Sequence, residues 1–160
     1  MSIDLNRLHS PEAEASVIGA LLLDPSSADQ VGPLRPGHFF AEHNRLIIAE
    51  ILSMIAAGKP VDAVTVAEEL HDSGLAEQTG GLAYLGELAA NTPSARSMSR
   101  YAATVVGKAL ERQLLAASIS IRDTAAGIGA SEEKLAAAQT AVMSISEVVA
   151  SRLPRSIRDI

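Results

Sequence analysis

Histidines, paired acids and glycine–lysine steps are the residues through which this chain could do chemistry. A helical H-E-x-x-H would hold zinc between two imidazoles, with the glutamate as base. None of the four histidines, His9, His38, His43 and His71, has that spacing. His38 and His43 flank Glu42 across a loop-to-helix boundary, so they read as solvated or capping side chains rather than ligands. Two facing carboxylates could divide acid and base roles. Glu68-Glu69 and Glu132-Glu133 are consecutive, which sends the members of each pair to different sides of a helix. A phosphate-cradling loop needs G-x-x-x-x-G-K-[ST], but Gly58-Lys59 is followed by Pro60 and Gly107-Lys108 by Ala109. Cysteine is absent, which removes the thiolate nucleophile, the thiolate zinc site and the disulfide framework. The expectation is a chain without catalytic activity, ATP hydrolysis, cofactor or metal of its own.

Two weaker motifs point the same way. Gly80-Gly81 ahead of a helix could hold an anion at the positive end of the dipole. No Lys or Arg stands nearby, so the glycines are expected to serve close approach of that helix to a neighbour. The run from Thr65 to Leu88 has the cadence of a helix-turn-helix, yet its would-be recognition helix, Gln78 to Asn91, has no basic residue to anchor phosphates.

Composition sets the frame for the elements that would position such residues. The 160 residues are 48% hydrophobic, enough for a core, and 2% aromatic, which disfavours a β-sandwich. A formal charge of −6, from thirteen basic and nineteen acidic residues, argues against a domain held to nucleic acid by phosphate contacts. The N-terminus lacks a basic start before an apolar run, so no signal peptide is expected. The most apolar run, Ala15 to Leu23, is far below the ~20 residues of a spanning helix, so no membrane partner is expected, and the absence of cysteine fits the cytosol, the expected location.

The periodicity predicts helices throughout. Residues 1–10 form an arm in which Ile3, Leu5 and Leu8 could pack, with no cap to define a helix. Ser10-Pro11-Glu12 is a strong helix start, with Glu12 and Glu14 at the positive dipole end. The helix launched there is apolar on most sides near its end and is therefore central. Asp24 and Pro25 stop it and cap a short helix. Phe39 and Phe40 read as core anchors. Leu46, Ile47, Ile51, Met54 and Ile55 mark a second amphipathic helix, closed by Gly58. Asp62 caps a third, with Val66 and Leu70 on one face, and Gly80-Gly81 open a fourth carrying Leu82, Leu85 and Leu88. Tyr84 falls on another face of that helix.

Asn91-Thr92-Pro93-Ser94 is a junction, where Asn91 can turn left-handed and Thr92 or Ser94 can cap the next helix. Beyond it Val106, Leu110, Leu114, Ala117, Ile121, Thr124 and Ile128 step by three or four to the break at Gly127 and Gly129. Ser131 then caps a helix with Leu135, Ala138, Val142, Ile145 and Val149. Two such stripes joined by a glycine turn predict an antiparallel hairpin. Met98, Tyr101, Val105, Leu115 and Ile119 lie partly outside the seam, to cover the head or to meet a partner. Pro154-Arg155-Ser156-Ile157-Arg158 reads as a linker, and Arg152, Arg155 and Arg158 as exposed arginines.

Four ordered blocks, PEAEASVIGALLL, GHFFAEHNRLIIAEIL, PVDAVTVAEEL and GGLAYLGELAANTPSA followed by a helix with Tyr101, resemble the N-terminal domain of DnaB-type bacterial replicative helicases. From Pro11 to Tyr101 they span more than half of the chain. Two departures stand out: Ala15-Ser16 follows the EAE run where the family has Gln or another polar residue, and no ATPase domain is present.

The resemblance implies an all-α fold: an arm over 1–10, a globular head over 11–92, a protruding antiparallel helical hairpin over 93–151 and the start of a linker over 152–160. It also implies a collar of dimers within a hexamer, a hairpin that binds the C-terminal domain of primase, and a helicase loader as a further candidate partner. DNA would be met only indirectly, and ATP and Mg would belong to the C-terminal motor of the full-length helicase. Leu115, Ile119 and Ile121 on the hairpin, with Tyr84, are the expected interface residues. The alternative is a free-standing adaptor that binds primase, helicase or loader.

Overall fold

The structure, a computed structural model, describes residues 4–150 and, within them, every side chain except those of Leu5 and residues 146–150. The expected linker at 152–160, with its three arginines, and the side chain of Val149 lie outside the described residues. Among the described residues all regular structure is helical: α1 Pro11–Leu23, α2 Glu42–Ala56, α3 Ala63–Asp72, α4 Ala76–Thr79, α5 Gly81–Asn91, α6 Met98–Ala126 and α7 Ser131–Ala150. The chain forms two compact units that part within α6, one ending at Ala109 and the other beginning at Leu110.

The first unit is built around α1. Ser10 Oγ accepts from Ala13 N at 3.3 Å and Pro11 occupies the first turn, where its missing N–H costs nothing. Val17, Ile18, Ala20 and Leu21 are fully buried, which commits nearly the whole circumference of the helix to packing. Around it lie Phe39, Ile47, Ile48, Ile51 and Met54, then Val66 and Leu70 of α3 and Leu85 and Leu88 of α5. Met98, Ala102 and Val105 from the first turns of α6 complete this core.

Local chemistry fixes the ends. Asp62 accepts from Val64 N and Thr65 N while Thr65 Oγ1 accepts from Asp62 N, a reciprocal cap on α3. Lys59 pairs with Glu69 at 2.7 Å, and that hydrogen bond and charge raise the lysine pKa. Gly80 and Gly81 have φ of +77° and +60°. They are needed for a left-handed step between α4 and α5, not for the close approach expected of them. That approach occurs at Gly19, where an added Cβ would lie 1.9 Å from Thr92 Oγ1 and 2.4 Å from the Leu88 carbonyl.

Several expectations are corrected. Asp4 caps a 3-10 turn over Leu5–Leu8, so the arm does have a helical start. The Lys108 ammonium donates to the Arg7 carbonyl at 2.6 Å and the His9 ring stacks on Phe40, which ties the arm down. Phe39 is a core anchor at 1% exposure, but Phe40 is 44% exposed and stacks on the His9 ring instead of entering the core. Leu82, in the first turn of α5, is half exposed beside an open groove.

No non-glycine residue among those described has positive φ, so Asn91 remains right-handed; α5 ends because Thr92, before Pro93, is extended. Ser94 caps a 3-10 turn that leads into α6. Ser131 is itself the first residue of α7 rather than its cap.

Gly19→Ala should separate α1 from α5. Overpacking of about 3 kcal/mol, less about 1 kcal/mol gained in helix propensity, leaves a loss of about 2 kcal/mol in unfolding free energy, measurable by urea denaturation.

Candidate partner-binding surfaces

Of the four expected interface residues, Tyr84 belongs to the first unit, and Leu115, Ile119 and Ile121 to the second. Tyr84 is tied into a polar cluster. Glu14, in the first turn of α1, is 2% exposed, and its carboxylate accepts from Phe40 N, Ala41 N and Asn44 Nδ2. Ala41 provides no side-chain cap for α2, so a carboxylate from another helix fills the positive end of that dipole. Tyr84 Oη donates to Asn44 Oδ1 at 3.1 Å, and the His43 ring stands edge-on to the phenol.

Burial first, then the Glu14 and Glu87 carboxylates, raises the Tyr84 pKa. The hydroxyl is therefore engaged inside the head, and the half-buried ring is what it can offer a partner. Nothing in the local pattern announced Glu14 as more than a dipole partner; its acceptor role depends on residues 26 to 30 positions away.

The second unit holds the C-terminal part of α6 and α7. Gly127 N folds back to the Thr124 carbonyl, and Lys134 Nζ donates to the Ala125 and Gly127 carbonyls at 3.0 and 2.6 Å. A cation from α7 thus closes the negative end of α6. The expected seam is only partly buried. Ala117, Ile121, Thr124 and Ala138 are half-buried and Ile145 is buried, whereas Leu114, Leu135 and Val142 are all more than 50% exposed. Two helices can cover only a narrow strip of each other, and alanine layers bring little width to it. Ile128 lies past the end of α6, in the turn, and is fully exposed.

Two open grooves meet at Ile121, the second with Ser131 and Lys134 on its wall. One, of about 510 Å³, is bounded by Ala138, Gln139, Val142 and Met143, and the other, of about 370 Å³, runs toward Ala125 and Leu135. Leu115, half-buried, and Ile119, 38% exposed, share a second face of α6, at least roughly 120° from Ile121 at 100° per residue. The three hairpin candidates therefore form two surfaces rather than one. Gln113 Oε1 is shut off from water with no hydrogen-bond partner among the described residues.

Among the described residues no three His, Cys, Asp or Glu are placed to hold a metal ion, and no helix is long and apolar enough to cross a membrane.

Tyr84→Phe should lower stability by about 1 kcal/mol through the lost hydrogen bond. A raised folded pKa means that this phenol's contribution is complete below the unfolded value of about 10 and is lost as pH rises through the folded one. The variant should accordingly show a shallower alkaline decline in chemical denaturation. Gln113→Leu removes an unpaired buried oxygen and should be neutral or stabilising by about 1 kcal/mol in thermal unfolding of the isolated chain.

Comparison with known proteins agrees with the helical architecture. The model of the DnaB-like helicase N terminal domain matches residues 6–107. Replicative DNA helicase DnaB of Pasteurella multocida (strain Pm70) is 36% identical over 142 residues, 87% of this chain and 30% of the helicase. The same helicase from Buchnera aphidicola subsp. Baizongia pistaciae (strain Bp) is 33% identical over 144 residues, 87% of this chain and 31% of its own. The chain thus spans about a third of the length of these relatives.

The crystal structure of the N-terminal domain of DnaB helicase from Mycobacterium tuberculosis matches with a TM-score of 0.76 at 33% identity, covering 85% of this chain and 97% of that one. A DnaB-like replicative helicase, studied with its interactions with primase, shares the fold with a TM-score of 0.72 at 24% identity, covering 85% of this chain and 31% of that one. With the family model matched over more than half its length, the chain belongs to the DnaB-like helicase N-terminal domain family.

Proposed function

We propose that this chain is the N-terminal collar domain of a replicative DNA helicase, which assembles as dimers within a hexamer and binds the C-terminal domain of primase. It has no catalysis of its own; ATP and Mg belong to the motor domain of the full-length protein, DNA is met through that motor, and a helicase loader is a further candidate partner. The proposed setting is the cytoplasm. The observation that carries this reading is the second unit's exposed apolar surface, with Leu114, Leu135 and Met143 at 53 to 67% exposure. Such a density of exposed large apolar groups costs solubility unless it is covered in an assembly.

The helicase of like fold whose interactions with primase have been described supports the choice of partner. Leu115, Ile119 and Ile121, together with the exposed part of Tyr84, are the proposed contacts. Because they form two hairpin surfaces, one can serve self-association while the other meets primase.

Leu115→Asp should weaken binding of the cognate primase C-terminal domain about 30-fold, the equivalent of about 2 kcal/mol for a central apolar contact, with unchanged far-UV circular dichroism. Isothermal titration calorimetry measures the loss, and Ile119→Asp provides a second variant on the same face. Unchanged affinity in both variants would sink the assignment of this face, and loss of helicity in Leu115→Asp would make Leu115 a core residue.

A further inference from the structure

The stretch 60–95 contains Asp62, Glu68, Glu69, Asp72, Glu77 and Glu87 and not one Lys or Arg. Two of these acids have local structural explanations: Asp62 caps α3, and Glu69 pairs with Lys59. Glu68 and Asp72 do not. They stand four apart on α3, where like charges repel, and Asp72 is its last residue, where the dipole is negative. Both placements work against the helix, so fold stability does not explain them.

What they share is a groove of about 480 Å³ between α3 and the start of α5. Its apolar lining is Val64, Ala67, Ala76 and Leu82, with Val64 and Leu82 about half exposed. Glu68 and Asp72 line it together with His71. Glu68 has no ion pair or hydrogen bond among the described residues, and the acid nearest to a partner, Asp72, lies 3.6 Å from the His71 ring on the exposed surface.

We propose that this groove is a second docking surface, in the first unit, for a cationic amphipathic helix of a protein partner. Leu or Ile side chains at helical spacing would enter between Val64 and Leu82, and flanking Lys or Arg would meet Glu68 and Asp72. An apolar groove with charged edges is how amphipathic helices are commonly recognised. The charge excludes nucleic acid as occupant, because its phosphates would face carboxylates without a counter-charge. This surface does not depend on the primase assignment, since it shares no residue with the hairpin.

The test uses the full chain and three labelled peptides of about 18 residues: a Leu stripe flanked by Lys, the same stripe flanked by Glu, and the Lys peptide with Leu replaced by Ser. Only the first should bind in fluorescence anisotropy. Its NMR perturbations should centre on residues 64–72 and Leu82, and its affinity should fall severalfold between about 50 and about 200 mM salt. Glu68→Lys with Asp72→Lys should weaken it at least tenfold, with circular dichroism unchanged. If that variant misfolds, Glu68→Gln with Asp72→Asn takes its place and should weaken binding severalfold.

Equal binding of the Glu or Ser peptide, unchanged affinity in the charge variants, or perturbations confined to residues 110–145 would each overturn the proposal. So would a Val64→Asp variant that abolishes self-association in sedimentation while leaving peptide binding intact, since the groove would then be covered by a second copy of the chain.

Discussion

A helix that is apolar on nearly every side can exist in water only if other elements surround it, and α1 imposes that demand on the first unit. Val17, Ile18, Ala20 and Leu21 leave it no face for solvent, so α2, α5 and the first turns of α6 must all reach it. The tightest of these contacts is decided by a missing side chain. At Gly19 the Leu88 carbonyl and Thr92 hydroxyl occupy the space that any Cβ would need, and Thr92 Oγ1 is itself used to bond the Leu88 carbonyl. Placing α5 here also sets where Tyr84 stands.

Burying α1 carries Glu14 inward with it, and a buried carboxylate must be fully hydrogen-bonded. The start of α2 meets that requirement, and Asn44 relays it to Tyr84. One polar cluster therefore joins α1, α2 and α5, and its cost in desolvation is offset by a cap that α2 lacks in its own sequence. Tyr84 is thereby held in one orientation, with only part of its ring exposed.

The second unit is organised by a different balance. Its pair of helices is locked at the turn by Lys134, but its width is too small to cover Leu114, Leu135, Val142 and Met143. In the first unit, by contrast, the exposed large apolar groups are fewer, and two of them, Val64 and Leu82, share a groove with Glu68 and Asp72. The two units therefore present surfaces of different chemistry, apolar in one and an acid-edged groove in the other.

The amino-acid sequence by itself determined the helices and most of their ends. Ser10-Pro11, Asp62 and Gly58 act within a few residues, so their effect is legible from spacing alone. The pairing of stripes into a hairpin was legible in the same way. Only the tertiary structure decided which residues of those stripes are covered, because a stripe of period three to four is as wide as a helix face while a two-helix contact is narrower. It also decided the roles of Gly19, Glu14 and Lys134: each acts on groups from another element, and no local pattern encodes which distant backbone will arrive there.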